Sequence, residues 1–132
     1  MAKFLNMYNN NSIIAANDIG AITYFTNIRL LDLAGLGSYE IIELKKNHNF
    51  TNKVITELIR RRNVELIIVY ESWFKDIHFD NEDYRKIGMW RIKNNVVCGG
   101  DTVSFYSRND LAVVNSEKLN NYSKILILMK KI

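Results

Sequence analysis

Polar side chains follow three short apolar runs of the sequence, and their types suit the binding of a polyhydroxylated ligand. Asn17 and Asp18 follow the first run, Asp32 closes the second, and Glu71 and Trp73 follow the third. If the runs are parallel strands, their carboxyl ends lie at one edge of the sheet, where open α/β sheets bind ligands. An aromatic platform flanked by amide and carboxylate groups suits a sugar site. We therefore expect these residues to line one concave surface.

The connection of a predicted β-hairpin is expected to lie near the same surface. Residues 89–93 and 102–106 alternate between apolar and polar side chains, as half-buried strands do. The connection between them contains Asn94, Asn95 and Asp101 together with a glycine pair, which supply turn chemistry. These polar residues complete the set of candidate ligand-binding residues.

A purely structural interpretation of the strand-end residues stays open. Asp18 and Ser38 each precede a predicted helix and suit N-cap positions. Asp32 suits a turn, and Trp73 suits the core, where aromatic side chains contribute most of their buried area. The position of Trp73 relative to Asp18 decides between the two interpretations.

Other chemistries find little support in the residue spacing. Gly35-Leu36-Gly37 resembles the start of a dinucleotide-binding loop, but Glu40 stands where the third glycine belongs, and its carboxylate would repel a pyrophosphate. His48 and His78 have no carboxylate or cysteine at ligand spacing, and Cys98 is the only cysteine. The sequence therefore predicts no catalytic residue, no metal site, no cofactor and no disulfide framework.

Length and charge predict one domain over residues 1–132 that does not bind nucleic acid. The net charge is +4, from 18 Lys+Arg and 14 Asp+Glu, and the basic residues are scattered. Their tightest cluster, Arg60 to Arg62, ends a predicted helix, where positive charge complements the helix dipole. No apolar run is long enough for a membrane span or a signal peptide, so the chain as written is expected to be soluble and to carry no export address.

Hydrophobic periodicity predicts a three-layer α/β fold, with a short parallel sheet extended by an antiparallel β-hairpin and helices on both faces. Strands are predicted at 12–16, 28–33, 64–70, 89–93 and 102–106, and helices at 2–8, 19–25, 39–44 and 51–62. Residues 108–132 are predicted to form a helix or a helix followed by a strand, with 124–132 as the undecided part.

Four strings in order resemble the soluble C-terminal region of polytopic bacterial glycosyltransferases, the protein-mannosyltransferase-like enzymes that use lipid-phosphate-linked sugars. The strings are Ala15-Ala16-Asn17-Asp18-Ile19-Gly20-Ala21-Ile22, Leu31-Asp32-Leu33-Ala34-Gly35-Leu36-Gly37-Ser38, Ile67-Ile68-Val69-Tyr70-Glu71-Ser72-Trp73-Phe74, and Asn94-Asn95-Val96-Val97-Cys98-Gly99-Gly100-Asp101-Thr102-Val103-Ser104-Phe105-Tyr106. The resemblance covers about residues 2–107. The catalytic acidic residues of those enzymes lie in the first extracytoplasmic loop, between transmembrane helices, and this loop has no counterpart here.

The resemblance implies a non-catalytic accessory domain on the extracytoplasmic face of the bacterial inner membrane. Its implied partners are a glycan or lipid-linked sugar acceptor and the membrane portion of a parent protein. The alternative is a structural or interaction domain that docks on a membrane partner through Phe74, Trp90 or the apolar run from Ile125 to Met129. A stand-alone enzyme of unknown chemistry is the third interpretation.

Overall fold

A computed structural model describes residues 1–91, 93–94 and 98–129. Within them the helices are α1 (Ala2–Tyr8), α2 (Gly20–Phe25), α3 (Tyr39–Lys46), α4 (Asn52–Arg61) and α5 (Ala112–Met129). The strands are β1 (Ile13–Ala16), β2 (Arg29–Asp32), β3 (Leu66–Val69), β4 (Tyr84–Arg91) and β5 (Thr102–Arg108). Short 3₁₀ turns follow β3 at Glu71–Trp73 and β5 at Asn109–Leu111.

In the part of the chain that the structure describes, the strands form one five-stranded sheet in the order β2-β1-β3-β5-β4. β1 pairs in parallel with both β2 and β3, while β5 runs antiparallel to β3 and β4. Every residue of β3 is buried, as a continuous apolar strand covered on both faces should be. The predicted parallel sheet with an antiparallel extension is confirmed.

Helices cover both faces of the sheet, which confirms the three-layer α/β architecture. On one face, Ile41 of α3 and Ile55 and Ile59 of α4 pack into a core cluster with alternate strand residues. On the other face, α1, α2 and α5 contribute Phe4, Leu5, Ile22, Leu119 and Tyr122 to a second cluster. Burial of these side chains on both faces supplies the main driving force for folding.

Local sequence explains the helix that borders the first face. Thr51 is the N-cap of α4, and its side chain accepts a hydrogen bond from the Val54 amide. Glu40 of α3 accepts hydrogen bonds from Arg61 and Arg62 at 2.8 and 2.6 Å. The arginine cluster at the end of α4 therefore joins two neighbouring helices through exposed ion pairs.

Two sequence predictions about the ends of elements need correction or completion. β4 begins at Tyr84 rather than at residue 89, because a β-bulge at Ile87 moves the following residues to the other face and breaks the alternation. Residues 124–129 continue α5 and add no strand, while 130–132 lie outside the described residues.

Candidate functional site

The carboxyl ends of β1 and β3 form the crevice at which open α/β sheets bind ligands. The chain leaves β1 through α2 on one face and returns to β3 through α3 and α4 on the other, so the connections diverge between these neighbouring strands. Asn17 and Tyr70 are the first residues beyond them. Asn17 Oδ1 accepts a hydrogen bond from the Tyr70 amide at 3.1 Å, which ties the two strand ends together.

Asn17 retains an unused donor at this position. Its side chain is buried, and Nδ2 has no hydrogen-bond partner among the described residues. Buried amide groups are nearly always hydrogen-bonded in native structures. The donor is therefore available to a bound water or to an oxygen atom of a ligand.

Asp18 and Tyr70 form the polar part of a cavity of about 250 Å³ at these strand ends. The Tyr70 hydroxyl donates a hydrogen bond to Asp18 Oδ2 at 2.9 Å. Burial, with added contributions from the Asp18 carboxylate, raises the pKa of Tyr70 well above its ordinary value, so the phenol remains a donor. The other lining residues are mostly apolar: Met1, Ala2, Ala21, Ile22, Trp90, Cys98 and Val103.

Trp73 adjoins this cavity and exposes about half of its surface, 52%. Its ring centroid lies 6.1 Å from that of Tyr70, and its indole Nε1–H donates to the Gly99 carbonyl at 2.9 Å. A Cβ atom at Gly99 would come within 2.5 Å of the Trp73 ring, and one at Gly100 within 2.8 Å of the Tyr70 ring. The glycine pair therefore lets the hairpin connection lie against both aromatic rings.

These contacts establish the position of Trp73 relative to Asp18. Both residues reach the same edge of the sheet, joined through Tyr70, and Trp73 is not a core residue. Asp18 does not cap α2, whose N-cap is Ile19 and has no side-chain hydrogen bond. Ser38 occupies the N-cap of α3 but likewise makes no side-chain cap hydrogen bond.

Glu71 faces away from Asp18, towards the side of the sheet that α3 and α4 cover. Its Oε1 accepts hydrogen bonds from Lys86 Nζ at 2.6 Å and from the Tyr106 hydroxyl. Burial alone would raise the pKa of Glu71, but the hydrogen bonds from Lys86, Tyr106 and Ser104 outweigh it and lower the pKa to about 2. Glu71 is therefore engaged in a cluster of its own.

Asp32 organises the loop that follows β2. It is 3% exposed, and its carboxylate accepts hydrogen bonds from the amides of Ala34, Gly35 and Gly37 at 2.9, 3.2 and 2.6 Å. Gly35 has a φ of 87°, which suits glycine at this point of the loop. The structural interpretation of Asp32 as a turn residue is confirmed.

Asn94 and Asp101 belong to the same hairpin connection as Gly99, but they do not line the Asp18 cavity. Asn94 is exposed with a φ of 56°, and Asp101 pairs with Arg91 at 3.3 Å and accepts from the Thr102 hydroxyl. Asn95 lies outside the described residues. Asp18 and Trp73, with Asn17 behind them, are thus the predicted residues that the structure brings together.

Sequence reasoning missed Tyr70, Trp90 and Val103 as cavity-lining residues. Each is an apolar residue of a predicted strand, and such a position indicates core. The signal available for Tyr70 was its place as the last residue before Glu71, directly beyond β3. A phenol at a strand end can point its hydroxyl out of the core.

A larger groove of about 490 Å³ lies between α4 and residues 78–83, but it is the weaker candidate. No carboxyl end of a strand contributes to its lining, and Glu57 in its wall is already paired with Arg60 at 2.8 Å. Its remaining charges, from Lys53 and two carboxylates, are of both signs. The lining of the groove therefore indicates no particular ligand class.

Two further properties apply to the described residues alone. In residues 1–91, 93–94 and 98–129, no cluster of His, Cys, Asp and Glu is arranged to hold a metal ion. The helices found in those ranges are all too short or too polar to cross a bilayer.

Comparison with known proteins places the chain in a family. A family model described as a domain of unknown function, DUF8728, matches residues 1–106. The matched part includes the Asp18 cavity, Trp73 and most of the sheet, and it ends before α5. Searches of curated proteins and of solved structures gave no match. The chain therefore belongs to the DUF8728 family.

Proposed function

We propose that this chain is a non-catalytic accessory domain of a membrane glycosyltransferase-like protein that helps to recognise a glycan or lipid-linked sugar acceptor. The observation that carries the proposal is the half-exposed Trp73 indole beside the Asp18–Tyr70 cavity. The parent protein would place the domain on the extracytoplasmic face of the bacterial inner membrane. This part of the proposal rests on the sequence resemblance alone.

The chemistry of the site matches what a sugar presents. The flat indole of Trp73 suits the apolar C–H face of a pyranose ring, while Asp18 Oδ atoms accept hydrogen bonds from hydroxyl groups. A cavity of about 250 Å³ holds about eight water molecules at about 30 Å³ each. That volume suits one sugar ring rather than an extended oligosaccharide inside the cavity.

Calorimetric titration with monosaccharides and polyprenyl-phosphate head groups tests this proposal. We expect weak, saturable binding that Trp73→Ala abolishes and Trp73→Phe partly retains, since phenylalanine keeps an aromatic face. Asp18→Asn should weaken binding about tenfold, which corresponds to one hydrogen bond to a charged group at about 1.4 kcal/mol. Tyr24→Ala, which removes an exposed aromatic side chain in the last turn of α2, should bind as the wild type does.

Two results would count against sugar recognition. One is the absence of binding heat with every ligand of the panel. The other is equal affinity in the wild type and Trp73→Ala, with both proteins folded by circular dichroism. Either result would contradict the proposal that Trp73 binds a sugar ring.

A second candidate function is an interaction domain that docks on a membrane partner. Two of the three contact regions expected from the sequence are occupied within the fold. Phe74 is buried, and Trp90 packs against Phe4 and Phe105. The end of α5 favours this function, because Ile127 and the two residues after it are exposed.

A further inference from the structure

The last turn of α5 presents apolar side chains that its own sheet does not cover. Ile127, Leu128 and Met129 are 58%, 63% and 61% exposed. Three consecutive helical residues point in directions about 100° apart, so together they surround more than half of the helix. Leu126 supplies the contact with the core. The exposed turn is therefore more than the outer face of a core helix.

The path of α5 places this turn at the same edge of the sheet as the Asp18 cavity. The Leu119 side chain lies over Gly88, and one turn later Ser123 Oγ accepts a hydrogen bond from Trp90 Nε1 at 3.2 Å. α5 therefore runs alongside β4 towards its end at Arg91. Residues 127–129 lie one further turn along, beyond the carboxyl ends of the parallel strands.

Positive charge accompanies the apolar turn. Lys124 on α5 and Lys93 beyond β4 are exposed, and neither forms an ion pair with a described residue. Lys130 and Lys131 follow directly in the sequence, and no acidic residue occurs after Glu117. The stretch from Lys118 to Lys131 is thus apolar and cationic, with no acidic side chain among its residues.

We propose that the last turn of α5 docks on an anionic lipid surface, with its apolar side chains at the boundary between head groups and acyl chains. Lysines near such a surface are attracted by anionic head groups, and the apolar side chains add burial energy. A protein groove contacts only one face of a bound helix, whereas a fluid lipid surface can surround the side chains on all sides of the helix end. A second copy of this chain would bring like charges together.

This docking would turn the edge of the sheet that carries the Asp18 cavity towards the lipid head groups. The inference does not depend on sugar binding, because the apolar turn and the lysines are separate from the cavity residues. It goes beyond the proposed function by naming the surface to which the domain binds.

Vesicle co-sedimentation tests the proposal with the full chain. Vesicles of equal parts phosphatidylcholine and phosphatidylglycerol should bind the wild type, and pure phosphatidylcholine should bind it much less. Leu128→Glu should lower the partition coefficient about tenfold or more, since it replaces an inserted apolar side chain by a charge. Val113→Glu is the matched control, because Val113 is 71% exposed in the first turn of the same helix and should leave binding unchanged. Salt at about 1 M should release the protein, because the screening length falls to about 3 Å.

Three outcomes would overturn the proposal: no binding to the anionic vesicles, equal binding of Leu128→Glu and the wild type, or a solution dimer that Leu128→Glu abolishes. The last outcome would assign the turn to a second copy of the chain. Both variants replace exposed residues, and equal melting temperatures would confirm that they fold. Neither lipid carries a sugar, so a failure of the proposed sugar site would leave this result unchanged.

Discussion

Replacement of Asp32 tests whether this carboxylate holds a loop rather than a ligand. Asp32→Ala removes the acceptor of the Ala34, Gly35 and Gly37 amides. A buried hydrogen bond to a charged group contributes about 1.5–3 kcal/mol. Only the bond to Gly35 is fully buried, so we expect a total loss of about 3–4 kcal/mol, a large share of a typical stability of about 5–15 kcal/mol.

The isosteric variant Asp32→Asn refines the expectation. Its amide group keeps one acceptor but sets an N–H donor against the Gly37 amide, so the loss should be about 2 kcal/mol. Denaturant unfolding followed by circular dichroism measures both values. Asp76→Ala, at an exposed aspartate, should stay within about 0.5 kcal/mol of the wild type. The reasoning fails if Asp32→Ala costs less than about 1 kcal/mol, or if Asp32→Asn loses ligand affinity while keeping wild-type stability.

Three further predictions follow from buried or paired side chains. The pKa of Glu71 is about 2 against an ordinary 4.5, because hydrogen bonds from Lys86 and Tyr106 outweigh the opposing effect of burial. Its ionised form therefore stabilises the fold above pH 4.5, and this contribution is lost as the pH falls towards 2. Since Glu71 is nearly half exposed, the loss should be only about 1 kcal/mol, measured as the difference between wild-type and Glu71→Gln unfolding curves at acid pH. Burial raises the pKa of Tyr84 from an ordinary 10 to about 12. The neutral phenol therefore stabilises the fold up to pH 10, and this contribution is lost as the pH rises towards 12. Tyr84→Phe should remove one phenol ionisation near pH 12 from the ultraviolet titration. Ile68→Asp places an unpaired carboxylate in the fully buried β3 and should cost about 3 kcal/mol or more, seen as loss of the cooperative melt.

The sequence predicts most of the sheet because its strands and helices carry strong local signals. The continuous apolar run from residue 64 to 70 indicates a central strand, and Thr51 with the apolar face behind it indicates α4. The start of β4 is not predictable from local sequence, because the bulge at Ile87 arises from the pairing of β4 with β5. Apolar residues 125–129 fit a helix or a strand equally well, and only packing of the preceding turns decides between them.

The candidate site is harder to predict than the fold, because side chains at one edge of a sheet can lie on either of its two faces. The carboxyl-edge rule correctly brings Asp18 and Trp73 together, but it does not say on which face Glu71 lies. The pairing of Glu71 with Lys86 requires the register of β4 and β5. Asp32 accepts hydrogen bonds from backbone amides of its own loop, such as that of Gly37, and local sequence propensity does not specify the loop geometry that these bonds require.

The claim that Trp73 and the Asp18 cavity form a sugar-binding site is tested most directly by nuclear magnetic resonance titration with the same sugar panel. The indole N–H of Trp73 donates a hydrogen bond to the Gly99 carbonyl, so its resonance should respond to a ligand that contacts the ring. We predict saturable shifts of this signal and of the amides of Asp18 and Gly99. Shifts confined to the groove at His78, or no shifts with any sugar, would contradict the account.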